Sequence, residues 1–360
     1  GAAARMYLVI NILQIFIVYA MGVPFGVTAF VMLLLILLYT FEGGVKTIVY
    51  TDTLQTTFML GGLIVCIIAL LGKMDIGLID AFSSLQSADM TRIFNTDIQS
   101  SGFFLKQILG GAFITIAMTG LDQEMMQKNI SVKTLEGSQK NVLTLATVLL
   151  IVNLLFLFLG GLLSLYATQQ GLGVKGDDLF PTIALSGTLS AAIGVIFIIG
   201  LISALFPSAD GALTAMTSSF CIDILGMQKD TLTSDKDKKR TRLMVHLGFA
   251  VLFFCCVVMF KWINDKSIID VILKLAGYTY GPLLGMFAFG IFTHRVPKDK
   301  WVLWVCLLSP IFIFGLDFIN NAEWFAKKLA LSESTSTSLI QLSDSIFSGF
   351  KIGIEMLILN

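Results

Sequence analysis

The chain is poor in charge and in the residues that build enzyme active sites. Asp, Glu, Lys and Arg make up 13% of its 360 residues, the net charge is zero, and there are only two histidines. A soluble domain carries about 25% charged residues, so a water-soluble globular protein is excluded. Because the net charge is zero, we do not expect nucleic acid as a partner.

Motifs for metal and phosphate chemistry are also missing. The five cysteines have no C-x-x-C spacing, so neither a disulfide framework nor a zinc site is indicated. There is no Walker A motif, no Gly-x-Ser-x-Gly and no His-Glu-x-x-His, so we expect neither an enzyme nor an ATP-driven pump. The chain does not begin with methionine and has no signal-peptide features, so we expect it to start inside a longer protein.

Long apolar runs dominate what is present. Hydrophobic residues make up 56% of the chain and its mean hydropathy is +0.86. Because about 20 apolar residues cross a bilayer as a helix, the sequence predicts an all-α polytopic membrane protein that lies in the lipid bilayer. The ten candidate spans are residues 6–20, 24–41, 47–72, 104–121, 142–168, 185–224, 243–263, 268–292, 301–320 and 345–360.

Lys and Arg are unevenly distributed among the connections. One set of alternate connections carries twice as many as the other, which makes the richer side cytoplasmic. The third span then starts on the cytoplasmic side. Among the long connections, 73–103 should form short surface helices, 225–242 a solvated charged loop, and the Ser- and Thr-rich 321–344 an exposed loop. We expect a multi-pass protein of the cell inner (plasma) membrane.

Two acids stand out inside the apolar runs, and Asp52 is the first. It lies in the first turns of the third span, where a charge costs about 2.5–3.5 kcal/mol unless it is neutralised. Asp210 follows Pro207, which we expect to interrupt the helix of the long sixth span. A proline removes a backbone donor and frees carbonyl oxygens, here near Ala204. With the Ser208 hydroxyl these are hard oxygen ligands for an alkali cation. The alternative is a packing kink lined by small residues.

Two other polar features lie within spans. Thr115 and Thr119, one helical turn apart beside Met118, can face one cavity or bond back to the preceding turn. Lys274 is the only basic residue well inside an apolar stretch. It can snorkel to the outer interface, counter an acid, or bind an anionic solute. Gly281-Pro282 predicts a hinge or discontinuity within the eighth span.

Three segments together resemble the sodium:solute symporter family, which includes the sodium/glucose, sodium/proline and sodium/sialic acid carriers. Residues 43–55 contain Gly-Gly and then Tyr-Thr-Asp and Gln, similar to the family's Gly-Gly…Trp-Thr-Asp-x-x-Gln. Residues 203–224 end in Cys-Ile-Asp-Ile, similar to its long helix that closes in a Met-Asp-Ile-like tripeptide. Residues 280–285, Tyr-Gly-Pro-Leu-Leu-Gly, match a third family segment. The chain is identified as a bacterial member.

The resemblance implies a leucine-transporter-type fold with two inverted repeats and alternating access, in one transmembrane domain over residues 1–360. Residues 5–72 would be the remainder of the first repeat, 104–293 the second repeat, and 301–360 peripheral C-terminal helices. Family helices one and two would be missing from the front. The implied function is secondary active transport: sodium, as the coupling ion and with no other cofactor, drives symport of a small polar organic solute, an acid, amino acid or sugar derivative.

The resemblance also implies a cation site. The family's main sodium site takes a backbone carbonyl at Ala204 and hydroxyls at the next two ligand positions, Pro207 and Ser208, so Pro207 is a departure. Members with a second sodium use the acid at Asp52 and two hydroxyls, the first at the position of Asp210. A carboxylate pair therefore replaces a hydroxyl-rich pattern. We expect a rearranged sodium site at Asp52, Ala204, Ser208 and Asp210, with Pro207 beside it.

The candidate solute-binding residues are Thr115, Met118, Thr119 and Lys274. Sugar carriers of the family have an Asn and a gate Tyr where Thr115 and Met118 fall, so a hexose is not supported. Two other functions stay open. One is a transporter-like solute sensor or receptor without a full transport cycle, and the other is a channel or ion exchanger without an organic substrate.

Overall fold

The computed structural model describes residues 2–40, 45–185, 187, 189–228, 233–263 and 268–360, which excludes Gly43 and Gly44 of the first family-like segment. Within those ranges the protein is helical, and no strand occurs in them. The all-α prediction is confirmed. The helices in chain order are α1 Ala2–Leu13, α2 Phe25–Thr40, α3 Val45–Met74, α4 Leu78–Ser87, α5 Phe104–Thr115, α6 Gln123–Ile130, α7 Leu135–Gln169, α8 Leu179–Leu185, α9 Ala191–Ser219, α10 Asp235–Ile263, α11 Ile268–Phe292, α12 Asp299–Asn320, α13 Ala322–Lys328, α14 Glu333–Phe347 and α15 Met356–Leu359.

Six described helices are long and apolar enough to cross a membrane. They are Asp52–Met74, Leu135–Gln169, Ala191–Ile224, Asp235–Lys261, Leu273–Phe292 and Asp299–Asn320. Three shorter apolar helices, Ala2–Val18, Phe25–Leu38 and Phe104–Gly120, coincide with three more of the predicted spans. The predicted surface helix in the long connection after the third span is present as α4.

The tenth predicted span, 345–360, is wrong. Helix α14 ends at Phe347, and Ser348 and Gly349 then take positive φ values of 50° and 84°, a conformation that ends a helix. The predicted loop at 321–344 is wrong as well, because α13 and most of α14 lie there. Ser332 caps α14 by accepting a hydrogen bond from the backbone N–H of Thr335, which satisfies an otherwise unpaired amide.

Helices α9 and α11 stay helical at their prolines. The predicted break at Pro207 and the discontinuity at Gly281-Pro282 are therefore wrong as interruptions of the helix. A proline removes one hydrogen bond to the residue four positions back, while its neighbours can keep helical dihedral angles. In α11 that residue is Tyr278, and its carbonyl oxygen accepts a 2.8 Å hydrogen bond from Nδ2 of Asn360 instead.

The described chain divides into two compact units. Unit 1 comprises Gly1–Thr91 and Gln127–Ile268, and unit 2 comprises Arg92–Met126 and Ile269–Asn360. The largest core of unit 1 joins α3, α7, α8 and the start of α9. Its buried members include Leu63, Cys66, Leu70, Leu159, Leu162, Tyr166, Ile183 and Ile193.

Unit 2 is built around α5, α11 and α12, with the C-terminal segment 350–360 packed against all three. Two buried clusters form its core, Ile114 with Ala117 and Leu357, and Ile313 with Ile352 and Met356. The fully buried Asn320 ties the segment to α12, because its amide donates to Phe350 O at 2.7 Å and accepts from Ile352 N at 2.8 Å. These bonds satisfy backbone groups that lie outside any helix.

Candidate functional site

Helices α3 and α9 of unit 1 run antiparallel in close contact. A Cβ placed on Gly62 would lie 3.3 Å from Cγ2 of Ile196, and one placed on Gly200 would lie 3.9 Å from the Cα of Met59. Small residues let the two backbones approach in this way, as is common between membrane helices. In these two contacts the numbers of the paired residues sum to 258 and 259. This sum defines the register of the interface.

This register brings the predicted acids to one end of the interface. With 3.6 residues per turn, Asp52 and Gln55 share the contact face of α3 with Met59 and Gly62. On α9 the same periodicity puts Asp210 on the contact face with Ile196. By the same sum, Asp52 of α3 lies level with position 207 of α9. Asp210 is about 5 Å further along the α9 axis, which is one helical turn away.

Asp210 is the most deeply buried acid of this group. Its side chain is fully buried, and its Oδ1 atom accepts a 2.5 Å hydrogen bond from the backbone N–H of Gly211. Asp52 is half-buried. A carboxylate in such surroundings is costly unless its charge is compensated. Two acids on facing stripes place carboxylate oxygens on both sides of this interface, where they can bind a cation or a proton.

Gln55 is a third oxygen donor that the site prediction omits. It is half-buried, and its Oε1 atom is buried without a hydrogen-bond partner among the described residues. The register sets it level with Ser203, whose side chain is buried. Ser203 lies four positions before Pro207, so its carbonyl loses its helical donor. Gln55 belongs to the sequence motif around Asp52, and this membership could have identified it as a candidate ligand.

Other predicted ligands of the cation site are described only in part. The side chain of Ala204 is exposed, and the predicted contribution of this residue is its backbone carbonyl. The side chains of Pro207 and Ser208 lie outside the described part of the chain. Where side chains are described, no group of three or more His, Cys, Asp or Glu residues converges as a metal site would require. The donors in this region are hard oxygens, which suit an alkali cation.

Three candidate solute residues lie at the C-terminal end of α5 in unit 2, where the helix continues into a π-helical turn, Ile116–Gly120. Thr115 donates a 2.8 Å hydrogen bond to Gly111 O, so its bond to the preceding turn is confirmed. Met118 packs against the cluster of Ile114, Ala117 and Leu357, and Thr119 is exposed. Turns of this type occur often at functional sites.

Lys274, on α11 of unit 2, is paired with an acid that the site prediction omits. Its Nζ atom lies 3.3 Å from Oδ2 of Asp317 on α12, and the Asp317 side chain is fully buried. Of the roles left open for Lys274, countering an acid is confirmed. Asp317 lies inside an apolar run, as Asp52 does, and that is the signal that could have revealed it.

Comparisons with known proteins were made for the whole chain. A model of the sodium:solute symporter family matches residues 6–304. The sodium/sialic acid symporter SiaT of Proteus mirabilis is 23% identical over 313 residues, which is 85% of this chain and 62% of that protein. The sodium/sialic acid symporter NanT of Aliivibrio fischeri is 24% identical over 306 residues, 82% of this chain and 57% of that protein. The chain thus spans about three fifths of the length of these relatives.

A solved structure is also similar to the chain. It is a Na⁺-coupled sialic acid symporter in a substrate-bound, outward-open state, in which a novel Na⁺ site is described. The match covers 99% of this chain and 71% of that chain, with a TM-score of 0.72 and 20% sequence identity. The likeness confirms the predicted fold class, an all-helical bundle of leucine-transporter type. All of these relatives are transporters and none is an enzyme.

Proposed function

The chain belongs to the sodium:solute symporter family, and from that premise we propose that it is the greater part of a sodium-coupled symporter of the plasma membrane. The solute we propose is a small polar organic acid, with an acidic sugar as the first candidate. The names of the sialic acid symporters among its relatives support this choice. Family membership favours transport over a sensor that binds solute without a transport cycle.

The observation that carries the proposal is the pair of acids on facing stripes of α3 and α9. Asp210 is fully buried, and the helix register sets Asp52 one turn away. Sodium bound between them would relieve the cost of holding two carboxylates within membrane helices. Acids within membrane helices commonly mark ion pathways, and the proline in α9 frees a carbonyl oxygen that can serve as a further ligand.

We assign the sodium ligands to Asp52, Ser208, Asp210 and the backbone carbonyl of Ala204. To these we add Gln55, whose Oε1 atom is buried and without a hydrogen-bond partner in the described ranges. In place of the missing hydroxyl, Pro207 supplies a freed carbonyl four residues back. For the solute we propose contacts with Thr115, Met118 and Thr119 at the π-helical turn, and with Lys274 as argued below.

Coupling follows if sodium and solute favour the same conformer. A ligand shifts a conformational equilibrium only by its difference in affinity for the two states, and two ligands that prefer one state raise each other's affinity by the same factor. Sodium at a site shared by α3 and α9 would stabilise one arrangement of these two helices, and a solute that prefers the same conformer of the protein would then bind more tightly.

Sodium-dependent uptake by the full-length protein in proteoliposomes tests the proposal. We expect N-acetylneuraminate to accumulate when sodium is outside, and uptake to fall to background when choline replaces sodium at a clamped pH. Glucose and proline, which are solutes of other carriers in the family, are the comparison solutes in this assay. Equal uptake in sodium and choline would exclude sodium coupling, and binding of the solute without any uptake would favour a sensor.

A further inference from the structure

Asp317 of α12 is a fully buried carboxylate with three donors in unit 2. The Tyr278 hydroxyl donates to Oδ2 at 2.5 Å, and Nδ2 of Asn321 donates to Oδ1 at 2.5 Å. The Lys274 ammonium donates to Oδ2 at 3.3 Å. Charge-assisted N–H···O bonds usually lie near 2.7–2.9 Å. At 3.3 Å the Lys274 ammonium is therefore the most distant of the three donors and lies beyond that range.

If Lys274 left this group, the Asp317 carboxylate would still have hydrogen-bond donors. A buried acid that loses its only partner is strongly destabilised, but Asp317 would keep one short hydrogen bond on each oxygen, from Tyr278 and from Asn321. The Lys274 side chain is 38% exposed, whereas that of Asp317 is fully buried. The lysine is thus the partner of the pair that an incoming solute can reach.

The surroundings of Lys274 fit an acidic sugar. Its ammonium lies 4.8 Å from the ring centroid of Trp324 and 5.7 Å from that of Phe325, both on α13. Trp324 is 43% exposed. An ammonium supplies the charge for a carboxylate, and an exposed aromatic ring supplies an apolar surface beside it. By the distribution of Lys and Arg, this end of α11 is the extracellular one.

We propose that Lys274 exchanges Asp317 for the carboxylate of an incoming acidic solute at the outer end of α11. Lys274 is then a solute-binding residue, and Asp317 and Tyr278 are positioning residues that set how readily it accepts an external anion. This inference rests on the proposed function in that the solute is an acid. No covalent step is involved, since one ion pair replaces another.

The reactivity of the Lys274 amine reports the exchange directly. The full-length protein in lipid nanodiscs is treated with an amine-acetylating reagent, and modification at Lys274 is quantified by mass spectrometry. Two carboxylate probes, N-acetylneuraminate and lactate, are each compared with their uncharged methyl esters. At least one carboxylate should lower Lys274 acetylation by about two- to fivefold, because the bound solute also covers the lysine side chain, which is 38% exposed when it is paired with Asp317, while both esters leave it unchanged. Equal acetylation with every probe overturns the proposal.

Two variants separate exchange from a loosened structure, because their expected effects have opposite signs. Asp317→Asn removes the resident anion, so Lys274 acetylation should rise. Tyr278→Phe leaves Asp317 with one donor fewer, so the carboxylate should hold Lys274 more tightly and acetylation should fall. Local unfolding would raise acetylation in both, and that result overturns the proposal. Lys106, buried and bonded to the carbonyl oxygens of Ser100 and Lys351, is the internal control.

Uptake measured in parallel separates this inference from the proposed function. If carboxylates protect Lys274 but the protein in proteoliposomes shows no sodium-dependent uptake, the proposed function is contradicted and the exchange stands. If uptake of N-acetylneuraminate is intact but no carboxylate protects Lys274, the exchange is contradicted and the symporter stands.

Discussion

Gly62 of α3 faces Ile196 of α9 so closely that a methyl group on Gly62 would lie 3.3 Å from Cγ2 and 3.7 Å from the carbonyl oxygen of Ile196. This contact fixes the register that aligns Asp52 with the buried end of α9. The geometry of the proposed cation site therefore depends on a residue that supplies no ligand atom to it.

We expect Gly62→Val to separate α3 from α9. Overpacking of this kind costs about 1–3 kcal/mol, and it should lower the thermal unfolding temperature and weaken the sodium dependence of uptake together. Gly61→Val is the matched control, because nothing lies within 4 Å of a Cβ at Gly61. Similar losses in both variants would show that helix propensity, and not the α3–α9 contact, is responsible.

The second prediction concerns charge at the cation site. Asp52→Asn and Asp210→Asn should each raise the sodium concentration for half-maximal uptake, by about tenfold or more if a charge-assisted ligand worth about 1.5–3 kcal/mol is lost. Asp223→Asn is the control on the same apolar span, since Asp223 is exposed and bonded to Ser219 at 2.7 Å. Unchanged sodium affinity in both site variants would remove the two acids from the site.

The helical spans and the acids within them could be predicted because both are local signals. An apolar run of membrane length or an acid inside one can be read without knowledge of the fold. The 345–360 span fails because hydropathy does not detect the positive φ of Ser348 and Gly349. A proline alone does not predict a helix break, since α11 continues through Pro282 and the freed Tyr278 carbonyl accepts a hydrogen bond from Asn360.

Contacts between distant residues account for what the sequence does not show. Lys274 and Asp317 are 43 positions apart, and nothing in their spacing indicates that they pair. The importance of Gln55 also depends on the α3–α9 register, which is set by glycines elsewhere in the interface. Such features are fixed by tertiary packing and so require the structure.

The third prediction concerns the C-terminal segment of unit 2. A Cβ on Gly110 of α5 would lie 2.6 Å from Cγ1 of Ile354 and 2.8 Å from the backbone nitrogen of Glu355. Backbone cannot yield as a flexible side chain does, so Gly110→Ala should displace the segment from α5. Cleavage of residues 350–360 by a protease should become faster. Gly111→Ala, with nothing within 4 Å, should leave cleavage unchanged, and equal rates in all three proteins would contradict the packing.

The last prediction concerns a buried hydroxyl between α9 and α10. Thr217 donates its single proton to Leu213 O at 2.7 Å, so at the 2.9 Å contact with Nδ1 of His246 the imidazole is the donor. Thr217→Val should cost about 1–3 kcal/mol, because the imidazole N–H loses its acceptor, whereas Thr217→Ser should cost much less. Adding His246→Phe to Thr217→Val should recover part of the loss, since both polar partners are then gone. Thermal unfolding of the wild type, Thr217→Val, His246→Phe and the double variant measures the coupling. Strictly additive losses would mean that the two side chains do not interact.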